Sequence, residues 1–357
     1  MSRASIPELL QVPAEEQDLD TLQQLLQWAV ELEFATIPTY LSGMWSMQDE
    51  TDPVYVLIQS VVMEEMLHLG LACNMLTAIG GTPQITAPTY PGPLPGGVEP
   101  DLTVYLAGLS KDTVQMYMAI EKPEQPLAAA AESFPTIGAF YDRIWSLFQS
   151  LNPALSATGQ IPGGVGVPNP AAPGGETQES FGPIVALEGF PSGPTDPITT
   201  VQAAITTIKE QGEGTTSTPD ADEFAADELA HYYRFGEIYN ERKLVEVSPG
   251  KWEFSGDPVP FPTKLWPVAQ VPPGGYPGVA SVEAFNTVYA QLITHLQNAW
   301  PGAAKADPQT QGQELGNAIR MMMKLGGLAA TIVQQRLPSG SGNYGPDFVP
   351  TNVGGTS

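Results

Sequence analysis

Two Glu-x-x-His quartets constrain this chain more than any other feature: Glu65-Met66-Leu67-His68 and Glu228-Leu229-Ala230-His231. The 357 residues hold only three histidines, and two of them fall in this one frame. On a helix, residues three apart lie about 60° apart around the axis and about 4.5 Å along it, so each quartet aims a carboxylate and an imidazole at one point. Both quartets sit inside apolar stripes. Ile58, Val61, Val62, Leu69, Ala72 and Leu76 surround the first, and Phe224, Phe235 and Ile238 flank the second. An ionised carboxylate buried in such a stripe needs a cation or a dense hydrogen-bond network. Two quartets, with one further glutamate from each of two other helices, make a carboxylate-bridged dinuclear centre inside a four-helix bundle.

Apolar periodicity and breakers predict helices over residues 18–47, 53–79, 111–121, 136–150, 198–211, 220–244, 281–299 and 311–336. Gly80-Gly81 closes the second of these, and Pro219-Asp220 opens the sixth. Between them, Gly and Pro concentrate in residues 82–100, 157–197 and 248–278. These stretches carry Phe181, Phe190, Trp252, Phe254 and Trp266, so they read as packed irregular loops. Strand signals are few, with Lys251-Trp252-Glu253-Phe254 as one candidate hairpin edge. The expected division is a metal-binding bundle with inserted loops over 1–245, and a loop and helical extension over 246–357 packed on it.

The same periodicity selects further ligands. Steps of three and four from Glu33 meet Leu22, Leu26, Ala29, Ile37, Tyr40 and Met44, whereas steps from Glu31 meet Gln24 and Gln27. Glu33 is therefore the inward carboxylate of the first helix. For the fourth carboxylate two candidates stand. Glu121 closes a helix with Val114, Tyr117 and Met118 on its apolar side; Glu213 lies in Gln211-Gly212-Glu213-Gly214, where the glycines allow close backbone approach. Glu121 ranks slightly ahead, with both lining the pocket. The candidate set is Glu33, Glu65, His68, Glu121, Glu213, Glu228 and His231. Mixed carboxylate and imidazole ligation suits two iron ions, with manganese as the alternative. Packing accounts for Tyr40, Tyr232 and Tyr233, with a place beside the metals as the alternative. His295 reads as a structural histidine, Met321 to Met323 as core filling and Cys73 as buried filler off the ligand face.

Charge and composition remove other classes. There are 39 acids against 14 bases, a net charge of −25, which argues against nucleic-acid binding. No run of 18 apolar residues suggests a membrane span, and the N-terminal residues carry no secretory signal pattern. A single cysteine excludes an internal disulfide and fits a reducing cytoplasm. Neither a phosphate-binding glycine loop nor a Gly-x-Ser-x-Gly nucleophile elbow is present.

Glu33-Phe-Ala-Thr-Ile-Pro-Thr-Tyr-Leu-Ser and Glu64-Glu65-Met-Leu-His68, followed by Gly80-Gly81, resemble the first two helices of ferritins. Further segments are similar to the ferritin-like domain named for iminophenyl-pyruvate dimer synthases of violacein- and indolocarbazole-type pathways. They are Ala35-Thr-Ile-Pro-Thr-Tyr-Leu, Ile120-Glu-Lys-Pro-Glu, Thr136-Ile-Gly-Ala-Phe-Tyr, Gln211-Gly-Glu-Gly and His231-Tyr-Tyr-Arg-Phe, spread over about residues 20–245. The resemblance implies an all-α, ferritin-like four-helix bundle with long Pro/Gly-rich loop insertions and additional C-terminal helices. It implies a non-haem di-iron or di-manganese oxidoreductase that uses O2 or peroxide on a small organic substrate, aromatic and amino-acid-derived in the named family. The competing expectation is a ferritin-like iron-binding protein, a ferroxidase without an organic substrate. Expected partners are a small-molecule substrate and a second copy in a small homo-oligomer, with no nucleic acid and no membrane.

Overall fold

A computed structural model describes residues 4–13, 16–123, 136–161, 165–168, 177–193, 196–214, 218–219 and 229–351, with 165–168 and 177–179 described by their backbone alone. After a short α1 (Ile6–Leu10), two long helices, α2 (Leu19–Trp45) and α3 (Pro53–Ala78), form the centre. Asp18 caps α2 by accepting the Thr21 N–H at 2.9 Å, and Asp52 caps α3 with Pro53 at its first position. The helices run antiparallel. Gln23 Nε2 of α2 donates to the Ile79 carbonyl just beyond α3, while Thr36 further along α2 donates to Glu65.

Every residue of α2 from Leu32 to Met44 is buried, and so is every residue of α3 from Leu67 to Ala78. A helix buried on all sides needs partners on all sides. They are α4 (Lys111–Ile120), α5 (Ile137–Leu151), α6 (Val201–Glu213) and α7 (His231–Asn240). Beyond them α8 (Ala280–Ala299) and α9 (Pro308–Ile332) pack on each other and against α2. Tyr289 of α8 stacks on Phe34 at 6.3 Å between ring centroids, and Phe285 and Phe348 close over Trp45. One continuous hydrophobic cluster runs from Ile6 to Phe348. α3 is long and apolar enough to cross a bilayer, but 72% of its most apolar stretch is buried inside the protein, as in a core helix.

The helical bundle expected from the sequence is the architecture, and two small sheets are added to it. β1 (Val165–Pro168) pairs antiparallel with β2 (Thr177–Ala186), which pairs parallel with β3 (Ile198–Thr200). The second is a hairpin of β4 (Arg242–Ser248) and β5 (Lys251–Pro258). The hairpin takes up the Lys251 to Phe254 edge; β1 and β2 lie in a stretch expected to be irregular, and β3 takes the first three residues of the helix expected over 198–211. Its β2 packs on α3, where a Cβ at Gly70 would stand 2.5 Å from the Phe181 ring. A glycine there permits the close approach. The helix expected over 220–244 is observed only as α7, and 220–228 lie outside the described residues. Leu229 and Ala230 are described and not helical, Ala230 being the extended N-cap (ψ 156°), so the chain into His231 does not form the helical turn expected for the second quartet. α7 stops at Asn240 because Glu241 turns left-handed (φ 58°) and the chain enters β4.

Asn74, fully buried on α3, ties three layers together. Its Nδ2 donates to the Gly182 carbonyl at 2.9 Å, and its Oδ1 accepts from Ile161 N at 3.1 Å and Trp300 Nε1 at 2.8 Å. Asn74→Ala leaves three buried polar groups unpaired, each costing about 1–3 kcal/mol. The expected loss is several kcal/mol, read as a lower denaturation midpoint at unchanged slope.

Candidate metal centre

Five acid and imidazole side chains converge where α2, α3, α4 and α7 meet. Glu33 comes from α2, Glu65 and His68 from α3, Glu121 from the C-cap of α4, and His231 is the first residue of α7. All five are buried. They fall into two groups, Glu33–Glu65–His68 and Glu65–Glu121–His231, whose ligand atoms lie within 4.8 Å of one another in each group. Glu65 belongs to both. The two imidazoles stack at 5.6 Å between centroids.

The groups are built alike. His68 Nδ1 lies 3.6 Å from Glu33 Oε2 and 3.7 Å from Glu65 Oε1. His231 Nδ1 lies 2.9 Å from the same Glu65 oxygen and 3.7 Å from Glu121 Oε2. The outer oxygens of the two terminal carboxylates are each held by a phenol. Tyr141 donates to Glu33 Oε1 at 2.5 Å, and Tyr40 donates to Glu121 Oε1. Thr36 Oγ1 holds Glu65 Oε2 at 2.7 Å. Burial first, and the adjacent carboxylates after it, push both tyrosines well above the usual phenol range, so they keep their protons and donate.

The outward ring nitrogens are also tied. His68 Nε2 meets Gln211 Oε1 of α6 at 2.7 Å, and His231 Nε2 meets Glu64 Oε2 at 2.8 Å. Glu64 is gripped in turn by Arg234, through Nη1 at 2.8 Å and Nη2 at 3.1 Å. Burial would raise the Glu64 carboxyl, but Arg234 and His231 outweigh it and hold it down at about 2. With each Nε2 fixed by an acceptor, both Nδ1 atoms are left to face the shared centre, as in metal-binding histidines oriented through their other nitrogen.

The donor set fits a pair of metal ions. His231 Nδ1 is buried without a hydrogen bond of good geometry although it lies 2.9 and 3.7 Å from two carboxylates, so this nitrogen is aimed into the space between them. Three carboxylates and two imidazoles converge with no sulfur, a set that iron and manganese accept. Without ions, protons supply the counter-charge. Burial lowers His68, but Glu33 and Glu65 outweigh it and push it up to about 9; burial and the Glu121 charge raise Glu65.

A cavity of about 20 Å3 adjoins the centre, lined by Glu33, Glu65, His68 and Glu121 on one side and by Leu32, Ile137 and Ile208 on another. It has room for about one water. Glu213 lines its edge but lies in neither group; its carboxylate accepts the Gly138 N–H at 2.7 Å in the first turn of α5. Glu228 lies outside the described residues. Tyr40 reaches the centre, whereas Tyr232 and Tyr233 pack on each other in a separate cluster with Leu244, Trp252 and Phe254. His295 pairs with Glu314 at 2.5 Å between α8 and α9, and Cys73 is buried. Met321 and Met322 pack against the core, while Met323 is 76% exposed.

Sequence reasoning passed over Glu64, Arg234, Gln211, Tyr141 and Thr36. Glu64 and Arg234 did carry a signal. Two adjacent acids on an apolar helix that has no Lys or Arg call for a base from elsewhere, and Arg234 stands three residues after a ligand histidine. Gln211, Tyr141 and Thr36 carry no such mark.

Arg234→Met strands the buried Glu64 charge, and breaking a buried pair in this way costs about 3–5 kcal/mol; a denaturant titration of the metal-free protein measures it. Metal uptake displaces a proton from His68 at any pH below about 9, so affinity rises with pH up to that point. Calorimetry in buffers of differing ionisation enthalpy is expected to show the released protons, and their absence at pH 7 contradicts a protonated His68 in the metal-free protein.

Residues 26–240, more than half the chain, match the family model Ferritin-like. Among solved structures, a ferritin-like protein from Caulobacter vibrioides aligns over 89% of this chain and 96% of its own, at 23% identity and a TM-score of 0.57. That likeness speaks to the fold alone. No curated protein matches the sequence at a significant level. With the extent of the family match and the helical architecture that surrounds the two ligand groups, the chain belongs to the Ferritin-like family.

Proposed function

We propose that this protein is a non-haem di-metal oxidoreductase, with iron or manganese as the metal, acting with O2 or peroxide on a small organic substrate. The observation that carries the reading is the pair of buried carboxylate–imidazole groups joined through Glu65. Glu33 and His68 hold one ion, Glu121 and His231 the other, and Glu65 stands between them. Glu228, outside the described residues, is the further carboxylate that the sequence offers to the same centre, and Glu213 is assigned to the cavity edge. When bound, such ions supply the electrons that reduce dioxygen or peroxide. The protein holds the ligands in place through Tyr40, Tyr141, Thr36, Gln211 and Glu64, and it surrounds them with apolar side chains that exclude bulk water. The aromatic, amino-acid-derived substrate class rests on the resemblance to the iminophenyl-pyruvate dimer synthase domain. A small homo-oligomer in a reducing cytoplasm completes the proposal.

The cavity supports a second reading. Among the described residues it is lined largely by the ligands themselves and has room for about one water, which favours iron binding and oxidation with no organic substrate. Oxygen uptake separates the two. Consumption that stops when the bound iron is oxidised supports the second reading, whereas turnover sustained by an aromatic 2-oxo or amino acid supports the first.

Both readings require the metal. Protein purified without oxygen and reconstituted with Fe2+ is expected to hold about two irons per chain, the complement of this class of site. Glu65→Ala is expected to lose most of that metal while keeping the helical circular dichroism. Protein that binds no transition metal after reconstitution defeats both readings.

A further inference from the structure

The two halves of the centre are built from the same kinds of inner ligand, two carboxylates and an imidazole with Glu65 in common, but differ behind the histidines. His231 Nε2 rests on a carboxylate, Glu64, which Arg234 holds in place and ionised; Arg234 is fixed in turn by Ser60 Oγ at 3.0 Å and the Leu229 carbonyl. His68 Nε2 rests on the neutral amide oxygen of Gln211. A carboxylate acceptor draws the ring proton more strongly than an amide does and leaves the facing nitrogen a better electron donor. The inner geometry has the same bias. The shared Glu65 Oε1 lies 2.9 Å from His231 Nδ1 and 3.7 Å from His68 Nδ1. His68 also borders the cavity, and His231 is not among the described residues that line it.

We propose that the two metal positions are unequal by construction: the Glu65–Glu121–His231 position, backed by Glu64 and Arg234, binds tightly and fills first, and the Glu33–Glu65–His68 position, backed by Gln211, is the weaker and exchangeable one. The inference rests on the di-metal reading above. Glu64 acts as a positioning residue, touching the histidine and not the metal. A first ion at His231 also sets Glu65 for the second, so loading is ordered and the cavity-side ion is the one that exchanges with solvent.

Three histidines make the test direct. Metal-free protein with 15N-labelled histidine is titrated with Zn2+ and followed by NMR; His295, paired with Glu314 outside both ligand groups, serves as the internal reference. The His231 ring signals are expected to shift over the first equivalent and those of His68 over the second. Simultaneous shifts, or His68 moving first, overturn the inference while leaving the di-metal reading intact; no shift of either histidine overturns both. In Glu64→Gln, checked for folding by circular dichroism, the first binding step is expected to weaken by about 10–100-fold, the usual cost of losing such a partner, with the second step nearly unchanged. Equal weakening of both steps counts against Glu64 as the source of the difference. If that variant does not fold, the order of shifts in the unaltered protein still decides.

Discussion

The structure is organised around carboxylates that have been taken out of water. Glu33, Glu64, Glu65 and Glu121 are all at least nine-tenths buried within the contact region of four helices. Isolated, each would be a large unfavourable term. The protein answers with two kinds of positive partner. Arg234 is a permanent one, committed to Glu64. The imidazoles of His68 and His231 are conditional ones, holding protons when nothing else is present and lone pairs when a cation is. A centre suited to exchanging protons for metal ions follows from that choice of residues.

The surrounding fold serves to make this burial rigid. α2 is enclosed on every side over Leu32 to Met44 and α3 over Leu67 to Ala78, which is why further layers are needed around them. α8 and α9 cover one side, and β2 covers another, meeting α3 at Gly70. Asn74 and Gln311 cross-link those layers through buried hydrogen bonds to backbone carbonyls and amides. The second ring of residues around the ligands is made the same way. Tyr40, Tyr141 and Thr36 each satisfy the oxygen that the centre does not use, so each carboxylate presents one defined face.

Much of this was legible in the sequence because it rests on period and on scarcity. Helical spacing separated Glu33 from Glu31, and in the structure Glu33 is buried while Glu31 is half-buried and accepts from Gln27. Two histidines in one frame on apolar stripes marked the quartets. By contrast, spacing put Glu121 only slightly ahead of Glu213, because both end short helices beside loops. The structure places Glu121 in a ligand group and turns Glu213 to the first turn of α5. The three-stranded sheet was hidden because β1 and β3 have 4 and 3 residues, too short to show a period.

The sequence by itself determined that this chain forms long buried helices, that acids and imidazoles lie on their inner faces, and that such faces demand a cation. Those conclusions depend only on residues a few positions apart on one helix. Tertiary structure alone decided which acids meet which imidazoles, that Glu65 is shared, and that Glu64 and Gln211 stand behind different histidines. His68 and Gln211 are 143 positions apart, and His231 and Glu64 are 167 apart. No local periodicity carries information across such separations, because the contact is set by how whole helices pack and not by the rotation of any one of them.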